Sequence, residues 1–250
     1  MSGLSLFERS MVVFNFLPSK TLHPSRILDY GSQPYIAALA AAPESAAVWH
    51  RHWSRAILER EGLLDRPVTD TTATGLTVAV LQHHDLVRLV RRMGVAVCAP
   101  RLRYAISAEA VRALQAALGQ DVLRWIKDGR AMHPGLAGEM FRDADDAVHQ
   151  VDLAGRAALR IAFQSARPEL ARRFFLKLPT SPGFEGGVAG ATDRDTDDTD
   201  DGTGDTGDTG DTGGTVADGI EREVSAAIDS HTAMGLAMAL QTGSIYQEQG

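Results

Sequence analysis

From about residue 33 to residue 178, apolar side chains recur every three or four positions and strand-like alternation is scarce, so the stretch can bury its hydrophobic surface only as helices. The spacing predicts an all-α fold, an irregular bundle of about seven or eight short helices. Ser32 with Pro34 starts one, carrying Tyr35, Ile36 and Leu39. Pro43 and Glu44 open the next, with Trp49, Trp53 and Ile57 on one face, Arg51, Arg55 and Glu59 on the other, and Gly62 as its end. Leu76, Val80, His83, Val87, Val90 and Met93 then line a single stripe that Gly94 is expected to stop. Val95 to Cys98 reads as a short strand or as a further helix or turn. Ser107 caps a helix holding Val111, Leu114 and Leu118, closed by Gly119. Leu123, Trp125 and Ile126 form a brief helix before Gly129, and residues 130–138 read as a loop. Val148, Val151, Ala154, Ala158 and Leu159 mark a long helix, and Pro168 begins a last turn with Leu170, Phe174 and Phe175.

The N-terminal run from Val12 through Phe14, Asn15, Phe16 and Pro18 to His23, Pro24 and Ser25 reads differently. Each proline lacks an amide donor and pushes the residue before it out of the helical region. Residues 12–25 are therefore expected to be an extended arm. It would lie in a groove of the following domain, or cap the core as an edge strand or ordered coil.

A chain of 250 residues with 44% hydrophobic content can bury one sizeable core. The single cysteine, Cys98, allows no intramolecular disulfide and points to a reducing compartment. No secretory leader is visible, and no window approaches the ~20 apolar residues that span a bilayer. The expected location is cytoplasmic, without membrane insertion. The net charge of −7 averages two regions of opposite sign: residues 1–180 carry +6 and residues 181–250 carry −13.

Composition changes abruptly at Pro179. Residues 181–218 hold almost no core-forming side chains, and 193–211 is a tract of Asp, Thr and Gly with a repeated Asp-Thr-Gly unit. Such a stretch cannot offset its ordering entropy and is expected to be a disordered acidic linker. Beyond it, Ile220, Val224, Ala227, Ile228, His231 and Met234 recover helical spacing, which predicts one tethered helix within residues 219–250. The domain expectation is thus 1–180, 181–218 and 219–250.

The chemistry-bearing residues suggest no catalytic, cofactor or metal site. The Asp-Thr-Gly unit resembles an aspartic protease loop, but a dyad needs two such carboxylates held in a fixed, partly desolvated geometry. Asp197, Thr199, Asp201, Gly202, Asp205 and Asp208 fall near calcium-loop spacing with no helices flanking them, so weak cation condensation is expected. His50 with His52, and His83, His84 and Asp85, lack the remaining ligands of a zinc set, and His83 is expected to face the core with His84 in solvent. Cys98 reads as a small buried hydrophobe. Arg88, Arg91, Arg92, Arg101 and Arg103 gather on consecutive helices. They read as a solvated face or protein-binding rim, or as the basic patch of a helical DNA-binding regulator.

Phe14-Asn15-Phe16-x-Pro18 with His23-Pro24-Ser25, the stretch from Leu89 to Ile106 with Ala99-Pro100-Arg101-Leu102, and the stretch from Ala113 to Ile126 with Leu118-Gly119 and Leu123-Arg124-Trp125 resemble the SctK/YscK family of type III secretion sorting-platform accessory proteins. The resemblance covers about residues 12–130 and extends towards 178. It implies a non-enzymatic cytosolic adaptor at the cytosolic face of the inner membrane. Such an adaptor joins an SctD-type inner-membrane ring protein to an SctQ-type pod protein, and through it to the SctL-type stator and ATPase, and is required for secretion. No nucleic-acid partner and no cofactor is implied. Interfaces draw on aromatic and arginine anchors, which makes Phe14, Phe16, Trp49, Trp53, Arg91, Arg92 and Trp125 the candidate contacts. The Asp-Thr-Gly tract has no counterpart in the family pattern.

Overall fold

In the computed structural model, residues 4–30, 41–105, 107–180 and 216–245 are described, and among them there is no strand. The fold is all-α. Eleven α-helices occur among the described residues, eight of them between residues 33 and 178, where seven or eight were expected. They are α1 (Leu6–Phe16), α2 (Ala46–Arg60), α3 (Leu76–Ala79), α4 (His83–Val97), α5 (Ala99–Leu102), α6 (Ala108–Leu118), α7 (Val122–Met132), α8 (Ala144–Gln164), α9 (Pro168–Phe175), α10 (Val216–Ala227) and α11 (Ser230–Ile245). Among the described residues between α1 and α2 are single 3-10 turns at Pro18–Lys20, Pro24–Arg26, Leu28–Tyr30 and Pro43–Ser45.

The extended arm expected over 12–25 is corrected by α1. Ser5 accepts a hydrogen bond from the Glu8 amide at 3.2 Å, and the Glu8 carboxylate accepts one from the Ser5 amide at 2.7 Å, a complete capping box. Pro18 acts only on Leu17, which leaves the helix with φ −130° and ψ 51°, so the proline ends the helix and does not reach back into it. The prolines instead open 3-10 turns, which tolerate a missing first amide.

The core is built around α8, which packs against α4, α6, α10 and α11. Its inner face is mostly small: Val151, Ala154, Ala157, Ala158, Leu159 and Ala162 are all buried. Gly94 and Gly155 let α4 and α8 meet backbone to backbone. A Cβ on Gly155 would stand 1.9 Å from the Val90 carbonyl oxygen, and one on Gly94 would stand 1.9 Å from that of Val151. Gly94 is therefore a crossing point inside α4, not its stop. Gly129 likewise lies within α7 against Ala96, where a Cβ would come to 2.5 Å.

Two other expectations need correction, and one open alternative is decided. The stripe from Leu76 to Met93 is two helices broken at Leu81 and Gln82, and His83, the first residue of α4, is exposed and does not face the core. Of the two readings of Val95 to Cys98, the helical one holds: Val95 to Val97 end α4 and Cys98 is its C-cap. The expected C-terminal helix is two, α10 and α11, parted at Asp229, whose carboxylate accepts from the amides of His231 and Thr232, each at 2.9 Å. That pair is part of the core, with Ile220, Val224, Ile228, Met234, Ala237 and Leu240 buried in the main apolar cluster. Its first helix begins at Val216, before the linker boundary expected at Asp218. The helix expected from Ser32 falls largely, and the Asp-Thr-Gly tract wholly, outside the described residues.

Elsewhere the local signals stand. Ser107 caps α6 by accepting from the Ala110 amide at 3.1 Å, and Gly119 closes that helix at φ +107°. Asp143 caps α8, accepting from Asp146 at 2.8 Å. Phe163 and Phe174 stack at 3.8 Å between centroids and lock α9 onto α8. A smaller apolar cluster joins Trp53, Ile57 and Leu176 under Leu22, Ile27 and Tyr30.

Candidate interaction surfaces and a cationic pocket

Helix α1 is apolar on both sides, and the two sides meet different surroundings. Phe14 and Met11 pack into the main cluster, and the buried Asn15 clamps the chain at Val68: its Oδ1 accepts from the Val68 amide at 2.8 Å, and its Nδ2 donates to the Val68 carbonyl at 3.0 Å. The opposite side leaves Leu6 73%, Val12 42% and Phe16 53% exposed. With the exposed Arg9 among them, these side chains present hydrophobic surface that the described residues do not cover.

The seven expected contact residues are placed unequally. Phe16 stands in the open, and Trp49 is half-buried. Phe14, Trp53 and Trp125 are core side chains. Arg92 is buried with its guanidinium over the Trp125 ring at 5.7 Å. Arg91 forms a two-bond ion pair with Asp152, at 3.2 and 3.1 Å.

The five arginines expected to form one patch are thus not a common face. Arg101 donates from Nε to the Glu139 carbonyl at 2.9 Å and covers the Phe141 ring at 4.7 Å. At least three of the five, Arg91, Arg92 and Arg101, are engaged within the fold, which leaves them poorly placed to meet phosphates. Cys98 is buried, and desolvation pushes its thiol up to about 12, as an inert core residue requires. Among the described residues, no group of three or more His, Cys, Asp or Glu side chains is placed to hold a metal ion. His84 pairs with Asp85 at 3.0 Å, and His50 hydrogen-bonds Ser19 at 2.9 Å. No described helix is long and apolar enough to cross a membrane.

His23-Pro24-Ser25 has a structural task. The His23 amide donates to Leu176 at 2.9 Å, Arg26 Nε donates to Leu178 at 2.8 Å, and Ser25 Oγ accepts from the Thr180 amide at 3.1 Å. These bonds staple the N-terminal turns onto the segment that follows α9. Beside the staple opens a pocket of about 260 Å³ walled by His23, His83, Asp152, Arg156, Lys177 and aliphatic side chains. Lys177 is 5% exposed, and its Nζ donates to the Ala79 carbonyl at 2.7 Å and to that of Leu81. Burial pulls its ammonium down to about 8. His23 is also lowered, first by desolvation and then by the charges of His83, Arg156 and Arg26.

No residue of this pocket was among the expected contacts. His23 belongs to the Pro24 motif, and Lys177 is one of only three lysines, set between Leu176 and Leu178; that apolar setting was the available signal. Against this geometry stand the comparisons: no family model, curated protein or solved structure matches the chain.

Proposed function

We propose that this chain is a helical adaptor of the type III secretion sorting platform, bridging an SctD-type inner-membrane ring protein and an SctQ-type pod protein at the cytosolic face of the inner membrane. Through the pod protein it would reach the SctL-type stator and ATPase and support secretion. Two things favour the reading: the SctK-like motifs, and the way they fall on structural joints. Phe14 and Asn15 fasten α1, His23 to Ser25 staple the chain to Thr180, and the stretch from Leu89 to Ile106 includes the α4 crossing.

The observation that carries the reading is the exposed stripe of Leu6, Val12 and Phe16 on a helix whose other side is anchored in the core. A rigidly held apolar stripe suits subunit contact, because little side-chain entropy remains to be lost on binding. The test is capture of purified SctQ-type protein and of the SctD-type cytosolic domain by the full chain, with and without Phe16→Asp. We expect capture of at least one partner, weakened tenfold or more by the substitution with helicity unchanged. Capture of neither, with tight binding to duplex DNA instead, would replace the adaptor with a DNA-binding regulator.

A further inference from the structure

The pocket beside the staple plays no part in the adaptor reading, and its chemistry points to an anion. Arg156 spends Nε on the Asp152 carbonyl at 3.0 Å, which leaves its terminal nitrogens for other acceptors. The Asp152 carboxylate, the acidic group in the wall, is already neutralised by Arg91. Lys177 is held by two neutral carbonyls, so no carboxylate offsets its charge. His23 Nδ1 accepts from the Ser25 amide at 3.2 Å, which makes Nε2–H the remaining donor of the neutral ring. His83 and Leu86, also in the wall, belong to the first turn of α4, where Gln82 provides no side-chain cap. The positive end of that helix dipole therefore meets the same basin, opposed only by Asp85 in its first turn. Leu86, Val87, Val90, Leu178 and Pro179 form apolar walls, next to which charge interactions are stronger than in open water.

We propose that this pocket binds aspartate carboxylates of the chain's own segment 193–211. That segment holds nine aspartates and one arginine, against a net charge of +6 on residues 1–180. Continuity of the chain supports the assignment: Pro179 is a wall of the pocket, and Thr180 is bonded to Ser25 beside it. The 13 residues from there to Asp193 can span about 40 Å, so the aspartates reach the pocket without moving any described helix. The tether also places them there at an effective concentration on the order of millimolar. Acidic ligands presented by other molecules must then compete with a built-in occupant. This proposal does not depend on the adaptor reading, and each can fail alone.

The probe is a fluorescently labelled hexa-aspartate peptide, titrated into the full-length wild-type chain and into a full-length variant with the nine aspartates of 193–211 changed to asparagine. At low ionic strength, about 20 mM, the neutralised variant should bind the peptide at least tenfold more tightly than wild type, and about 0.5 M salt should abolish the difference. Adding Arg156→Ala to the neutralised variant should remove most of the gain, with thermal unfolding of each variant as the check on folding. Equal affinity of wild type and neutralised variant overturns the proposal, because the segment then does not occupy the pocket. Binding that is unaffected by Arg156→Ala overturns it as well, because the peptide then sits elsewhere.

Discussion

Asn15 pairs with both polar groups of Val68 in the core, so its truncation cannot be compensated by water. Asn15→Ala should destabilise the fold by about 2–4 kcal/mol, the cost of leaving a buried N–H and C=O without partners, read as a lower urea midpoint. Lys177 supplies a pH signature. Between pH 8 and about 10.5 the unfolded chain still holds a proton that the native lysine has released, so its contribution makes stability rise with pH across that window. Cys98 acts in the opposite sense above about pH 9, where the unfolded thiol ionises and the buried one does not. A comparison of wild type with Lys177→Met should therefore show the clearest loss of upward slope between pH 8 and 9. The same burial predicts that Cys98 reacts with thiol reagents only after denaturant is added. His23 and Lys177 show why the pocket was not legible in the sequence: they lie 154 positions apart, and no local spacing links them to Arg156.

At the scale of elements, the α4–α8 crossing is the most demanding contact in the fold. Gly94→Val or Gly155→Val drives a branched side chain into a carbonyl of the facing helix and should cost about 3 kcal/mol or more, lowering Tm by roughly 6–12 °C in a calorimetric scan. Helices α6, α8 and α9 were readable because their signals are local: Ser107, the long run from Val148 to Leu159, and Pro168. Glycine was ambiguous. Gly119 ends a helix while Gly94 and Gly129 permit close packing, and only the facing helix distinguishes the two uses. Periodicity likewise carried across the breaks at Gln82 and Asp229, because a short interruption keeps the apolar phase. The capping box at Ser5 and Glu8 was present in the sequence, and it outweighs prolines that lie beyond the end of α1.

For the molecule as a whole, the pair α10–α11 completes the core around α8. Removing residues 216–250 would take Ile220, Val224, Ala237 and Leu240 out of the core and expose the apolar faces of α8 and α4 that the pair covers, so the truncated chain should aggregate or unfold at markedly lower urea than the full chain. Such an outcome would rule out a merely tethered tail. Arg160 joins these parts through a single guanidinium, donating to Glu221 at 2.6 Å and to the Pro179 carbonyl at 2.8 Å. Pro179 and Glu221 are thereby held on one guanidinium, and lengthening or shortening the connection between two fixed posts changes the free energy of closure by only ~0.6 kcal/mol per doubling. The count of Asp-Thr-Gly units is consequently free to drift, tuning electrostatic strength like a dial while the scaffold beneath keeps its melting point.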